Sequence, residues 1–175
     1  MPSTETILLL DDSATMLSSG LWTTLSRSLT SVPYNYQRPY TVHFINARLP
    51  ATRIFSRSQM GQLLSCVTPS GCSEIGQQIY YLYERNYMFR HRQANVKVVV
   101  YTNLKGGGQK GLKEKLDLCK AHFQGTTGMA FDLEFRVVGE DAKSISRAKR
   151  LEGHVARQYQ DVKESFRVKV VYTGQ

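Results

Sequence analysis

The sequence is short of the features that several large protein classes require. Three cysteines, Cys66, Cys72 and Cys119, are scattered over 175 residues, too few and too irregularly placed for a disulfide framework. No Asn-x-Ser/Thr glycan acceptor occurs. Both absences favour a reducing, intracellular setting, cytoplasmic or nuclear. Unbroken apolar runs such as Ile7–Leu10 and Val98–Tyr101 fall far short of the roughly 20 residues that a membrane-spanning helix needs. The opening Met-Pro-Ser-Thr-Glu-Thr has no basic stretch, and the apolar run behind it breaks at Asp11 and Asp12, so no secretory signal is expected. Four histidines, His43, His91, His122 and His154, show no ligand spacing, and no Gly-x-Ser-x-Gly elbow is found. Catalysis is therefore not expected.

With 13 glycines and five prolines the chain has an ordinary share of both, which excludes collagen-like and low-complexity disordered readings. Acidic residues are scarce: 14 Asp and Glu stand against 23 Lys and Arg, a formal charge of +9. That balance attracts acidic partners without choosing among them. The length suits one domain, residues 1–175, with a core that needs no staple.

Short β-type runs alternate with longer segments of helical period. Ile7–Leu10 reads as a buried central strand, and Leu17, Leu21, Leu25 and Leu29 place one apolar stripe on a helix beginning near Thr15. Residues 41–45 and 51–55 read as a hairpin at the sheet edge, and residues 58–67 as a short helix. Ile75, Ile79, Leu82 and Tyr83 mark the next helix, and Val96–Tyr101 the second strong strand. A helix carrying Leu112, Leu116, Cys119 and Phe123 follows, then a strand over 131–138. Ile145, Ala148, Leu151, Val155, Tyr159 and Val162 mark a long basic helix, and residues 166–172 a last strand. This order predicts an α/β fold: an open, doubly wound, mostly parallel Rossmann-like sheet, helices on both faces and one antiparallel edge strand.

Three loops at strand ends carry a resemblance. The first strand runs into Asp11-Asp-Ser13-Ala-Thr15, a helix is preceded by Gly71-Cys-Ser73-Glu-Ile-Gly76, and the second strong strand ends in Thr102-Asn103-Leu104. Over nearly its whole length the chain resembles a von Willebrand factor A-type domain. That family carries Asp-x-Ser-x-Ser, Gly-Gly-Thr-Asn-Ile-Gly and Thr-Asp-Gly in the corresponding places. The resemblance implies a protein-interaction module with a metal-ion-dependent adhesion site. Asp11, Ser13, Thr15, Ser73 and Asn103 would hold Mg²⁺, and an acidic residue of a protein ligand would complete its shell. An all-oxygen set suits such a hard cation. Asn103 stands where the family has Asp, which removes a charge and makes the site degenerate, either weak or a relic. Asp12, Ser13 and Thr15 also suit helix N-caps, Asp12 best.

Other readings of the same residues stay open. Asp11-Asp12-Ser13 is also similar to the first-strand end of receiver-type signalling domains, but Asn46 then stands where a phosphoaccepting Asp belongs. Gly106-Gly-Gly108-Gln-Lys-Gly111 formally fits a phosphate-cradling fingerprint, though it sits on the wrong strand and reads better as a surface loop. Two basic clusters point to nucleic acid, RNA or single-stranded DNA. In one, Arg85, Arg90 and Arg92 interleave with Tyr87 and Phe89. In the other, Lys143, Arg147, Lys149 and Arg150 crowd one helix.

Overall fold

The computed structural model describes residues 4–85, 95–105, 109–123, 130–162 and 165–173. Among them a six-stranded sheet has the order β3-β2-β1-β4-β5-β6. The strands are β1 (Glu5–Leu10), β2 (Tyr40–Phe44), β3 (Thr52–Ile54), β4 (Val96–Thr102), β5 (Phe131–Val138) and β6 (Phe166–Thr173). All neighbours pair in parallel except β2 and β3, the expected edge hairpin. The helices are α1 (Leu21–Thr30), α2 (Arg57–Ser65), α3 (Ile75–Tyr83), α4 (Gln109–Phe123) and α5 (Ala142–Gln158).

Strand periodicity divides the core in two. Ile7, Leu9, Val98, Val100, Leu133 and Phe135 face one side, where Ile79 and Leu82 of α3, Leu116 of α4 and Leu151 of α5 cover them. Leu8, Leu10, Val42, Val99 and Tyr101 face the other, against Leu25 and Leu29 of α1 and Met60 and Leu64 of α2. The Ile7–Leu10 run is apolar throughout because helices cover both its faces. Where α3 starts, a Cβ on Gly76 would lie 2.9 Å from the Leu112 Cα, so glycine is what lets α3 and α4 approach there.

One expected stripe is shorter in the structure. Residues Ala14–Gly20 form a 3₁₀ helix, and Gly20, at φ 68°, ends it before α1 begins at Leu21. The change of pitch takes Leu17 off the stripe of Leu21, Leu25 and Leu29 and leaves it 56% exposed. Elsewhere the expected elements stand within a few residues of their bounds. No helix among the described residues is long and apolar enough to cross a membrane.

Candidate functional site

Parallel pairing brings the carboxyl ends of β1, β4 and β5 together. In open sheets of this kind, that is where loops diverge and leave a crevice. The Asp11 N–H still donates to the Tyr101 carbonyl at 2.9 Å, the last rung between β1 and β4. Beyond it the chain turns, and the side chains of Asp11, Ser13, Thr15, Ser73 and Asn103 converge. Asp11, Ser13 and Asn103 are fully buried, and Ser73 is nearly so.

Asp11 is the hub. Its Oδ2 accepts the Ser73 hydroxyl at 3.0 Å and the Thr102 hydroxyl at 2.6 Å, and its Oδ1 accepts the Ser13 N–H at 3.1 Å. The Ser13 and Thr15 hydroxyls lie 2.9 Å apart. Thr15 donates to the Asn103 Oδ1 at 3.3 Å, while the Asn103 Nδ2 donates back to the Thr15 carbonyl at 3.0 Å. Asn103 thus uses both halves of its amide, and its Oδ1 also accepts the Lys105 N–H at 2.8 Å. All five expected residues belong to one hydrogen-bonded cluster.

Several participants were not anticipated from the sequence. Thr102 donates to Asp11 and accepts the Leu104 N–H at 2.9 Å. Ser144, buried on α5, places its hydroxyl 2.7 Å from both the Asn103 carbonyl and the Asp141 carboxylate, which share its one proton. Leu104 takes a left-handed φ of 55°, a conformation costly for a branched side chain. It stands at the glycine position of the Thr-Asp-Gly pattern, and glycine would adopt this φ without the steric cost. The Arg147 guanidinium donates to its carbonyl at 2.6 Å and braces the turn. The polar run Thr102-Asn103 at the end of a buried strand marks this loop in the sequence, but not these contacts.

Asp12 has a different duty from the helix cap expected of it. Its Oδ1 accepts the Asn46 N–H and its Oδ2 the Ala47 N–H, each at 2.7 Å. The Ser70 N–H donates to its carbonyl at 2.7 Å. Asp12 therefore ties the end of β1 to the turn after β2 and to the loop after α2. Two backbone donors in that turn outcompete the residue's own helix. Ser13 holds the N-cap position of the 3₁₀ helix without a side-chain cap bond. Asn46 lies beside this carboxylate as a neutral amide, and no carboxylate stands at its position for a phosphoryl group.

The loop after β5 closes one side of the cluster. Asp141 caps α5 by accepting the Lys143 and Ser144 N–H groups, and it pairs with Lys105 at 3.2 Å. Partial burial pushes the Asp141 carboxyl up, but the Ser144 hydroxyl and N–H and the Lys105 ammonium outweigh it and hold it at about 2.

The residues of the second reading fall in separate places. Arg85 is exposed at the end of α3, and α4 lies between α3 and α5. Arg90, Arg92, Tyr87 and Phe89 lie outside the described residues, as does the Gly106–Gly108 loop. On α5, Lys143, Lys149 and Arg150 are exposed, while Arg147 is turned to the Leu104 carbonyl. No group of three or more His, Cys, Asp or Glu side chains placed to hold a metal occurs among the described residues.

No protein-family model matches the sequence, and none of the curated proteins matches it. Solved structures do. The VWA domain of SpRpn10 superposes with a TM-score of 0.54 at 13% identity, covering 100% of this chain and 91% of that one. Proximal thread matrix protein 1 of the mussel byssus gives 0.50 at 14% identity, over 97% of this chain and 42% of that one. A von Willebrand factor type A protein from Catenulispora acidiphila gives 0.50 at 9% identity, over 97% and 38%. The chain thus spans less than half the length of the last two. At such identities the likeness speaks for architecture alone, and the architecture of this chain is the von Willebrand factor A-type fold.

Proposed function

We propose that the chain is a protein-interaction module that docks its ligand on the carboxyl end of the sheet. The observation that carries this reading is the convergence of Asp11, Ser13, Thr15, Ser73 and Asn103, from three separate loops, into one buried cluster. Buried polar groups that satisfy one another fix a loop surface in one shape. Around the cluster lie exposed residues of two of these loops, Ala14, Leu17 and Ser18, then Gly71 and Cys72, together with Arg48 and Leu49 of the β2–β3 turn that Asp12 ties down. Leu17 and Leu49, 56% and 40% exposed, offer apolar anchors. Arg48 suits the acidic ligand residue that the sequence resemblance implies. The fold likeness supports this reading at the level of architecture.

The cluster supports docking without a cation. Its donors are all oxygen, as Mg²⁺ requires, but among the five assigned residues only Asp11 is charged. Both Asp11 oxygens already accept N–H or O–H donors, and Asn103 directs its Nδ2 at Thr15. One carboxylate so engaged is a poor match for a small, strongly hydrated dication. We therefore read the set as a relic of a metal site whose hydrogen bonds now hold the loops, and derive no step through Mg²⁺. Three free thiols, two of them exposed, suit a reducing compartment.

The test is affinity capture from cell extract with the wild-type chain, Ala14→Arg and Arg48→Glu, with and without chelator. Proteins retained by wild type in either buffer and lost from both variants are the expected result. Identical capture by all three overturns the docking face. Capture that chelator abolishes restores the cation-dependent reading, with Asp11, Ser13, Thr15, Ser73 and Asn103 as ligands.

A further inference from the structure

Helix α5 carries five basic residues, Lys143, Arg147, Lys149, Arg150 and Arg157, against one acid, Glu152. The acid is engaged: the Tyr172 hydroxyl donates to it. Arg147 is engaged too, bracing Leu104. The other four cations are exposed, and none of them forms an ion pair among the described residues. Lys143, Arg150 and Arg157 follow one another at intervals of about two turns, or roughly 10 Å, so they form one stripe. Lys149 stands beside it.

The floor of the stripe is low. Ala142, Ile145, Ser146, Lys149 and Arg150 line a shallow, open depression of about 520 Å³. Further along, the Arg157 guanidinium lies back over Gly153, within 3.4 Å of where a Cβ would be. Small side chains between long cations let an extended anion approach the helix while the cations reach it from the sides.

The arrangement discriminates among polyanions. An acidic protein would need apolar or aromatic anchors at its centre, and this face offers Ile145 alone. Insertion into a lipid surface would need an apolar helix face turned outward, but the apolar side of α5, with Ala148 and Leu151, is in the core. A phosphate backbone needs only regularly spaced cations and room for its sugars. The cations also stand against local preference. Lys143 occupies the first turn of α5, which has no acidic residue, where the helix dipole disfavours a positive charge.

We propose that the outer face of α5 is a nucleic-acid-binding surface, in which Lys143, Lys149, Arg150 and Arg157 neutralise phosphates along a single strand. The site is separate from the docking face proposed above and does not depend on it.

Fluorescence anisotropy of a labelled single-stranded RNA of mixed sequence, titrated with the full chain over a salt series, tests this. Four phosphates neutralised predict a log K against log salt slope of about −3, or a roughly 50-fold loss between about 50 and 200 mM salt. Lys149→Glu with Arg150→Glu should weaken binding at least about tenfold and roughly halve the slope. Arg53→Glu with Lys169→Glu, exposed on β3 and β6, makes the same change in net charge elsewhere and should leave binding nearly intact. No anisotropy change at low salt overturns the proposal. Equal loss in both double variants overturns it too, because net charge alone would then account for binding. Displacement of the RNA by polyglutamate at equal charge concentration, or tighter retention on anionic vesicles than on RNA, would reassign the face to acidic protein or lipid.

Discussion

At the carboxyl end of the sheet the side chains of Asp11, Asp12, Ser13, Thr15, Ser73, Thr102, Asn103 and Ser144 have partners within the chain. Along the outer face of α5, a few residues away, four cations face solvent. Asp11, Asp12, Asn103 and Ser144 are all under 2% exposed and fully bonded. Lys143, Lys149, Arg150 and Arg157 are exposed, and Arg150 donates weakly to the Ser146 hydroxyl at 3.4 Å. Burial explains the contrast. A polar group out of water costs free energy unless it is paired, whereas an exposed cation is already solvated. The first region therefore sets shape, and the second is left free to meet a partner. Arg147 lies on the boundary: its neighbours face outward, yet it turns inward because the left-handed Leu104 needs a brace.

The contrast breaks most severely at Asp12. Asp12→Ala strands the Asn46 and Ala47 N–H groups without their acceptor, and should cost about 3 kcal/mol. Urea unfolding should show a lower midpoint with an unchanged m-value. A loss within experimental error would mean that water replaces the carboxylate, and the region is less closed than its hydrogen bonds imply.

Asn103→Asp is a smaller and sharper cut. The amide donation to the Thr15 carbonyl is lost, and a carboxylate oxygen faces that carbonyl instead, for about 1–2 kcal/mol without a cation. The same change restores the missing negative charge. Mg²⁺ should then raise the melting temperature of the variant and leave wild type unmoved, read by scanning calorimetry with and without chelator. Equal Mg²⁺ stabilisation of both chains would show that the amide was never the obstacle.

Proton linkage probes the rim between the two regions. The Asp141 carboxyl, held at about 2 against an ordinary 3.8, stabilises the fold above its unfolded value. That contribution fades as pH falls through about 4 toward the folded value near 2. Asp141→Asn should remove it, so wild type and variant should converge in melting temperature across that window. Parallel curves would place the acid sensitivity elsewhere.

Most of the fold was legible because strands and helices announce their buried faces: the run Ile7–Leu10, the stripe Leu21–Leu25–Leu29, the alternation of Phe131–Val138. Leu17 misled because apolar spacing continues through a change of helical pitch that Gly20 enforces. The five cluster residues were legible through loop patterns at strand ends. Thr102, Ser144 and the duty of Asp12 were not, because each depends on a partner 34 to 91 positions away, and sequence spacing does not report such contacts. The inward turn of Arg147 was hidden for the same reason, since the need for a brace arises at Leu104.

The smallest effect expected has the opposite sign to the others. Lys143 follows the Asp141 cap in the first turn of α5, where unpaired N–H groups give the helix end a partial positive charge. A cation there is slightly unfavourable, and a chain selected for stability alone would carry an acid. Lys143→Glu should therefore raise stability by about 0.3–1 kcal/mol at low salt, with the gain shrinking as salt is added. RNA binding should weaken in the same variant. Opposite movements of stability and affinity would show that this lysine is maintained against the preference of its own helix, as a residue kept for a partner would be. A loss of stability in Lys143→Glu would instead give the side chain a structural duty, and the stripe would then belong with the closed region it is contrasted with.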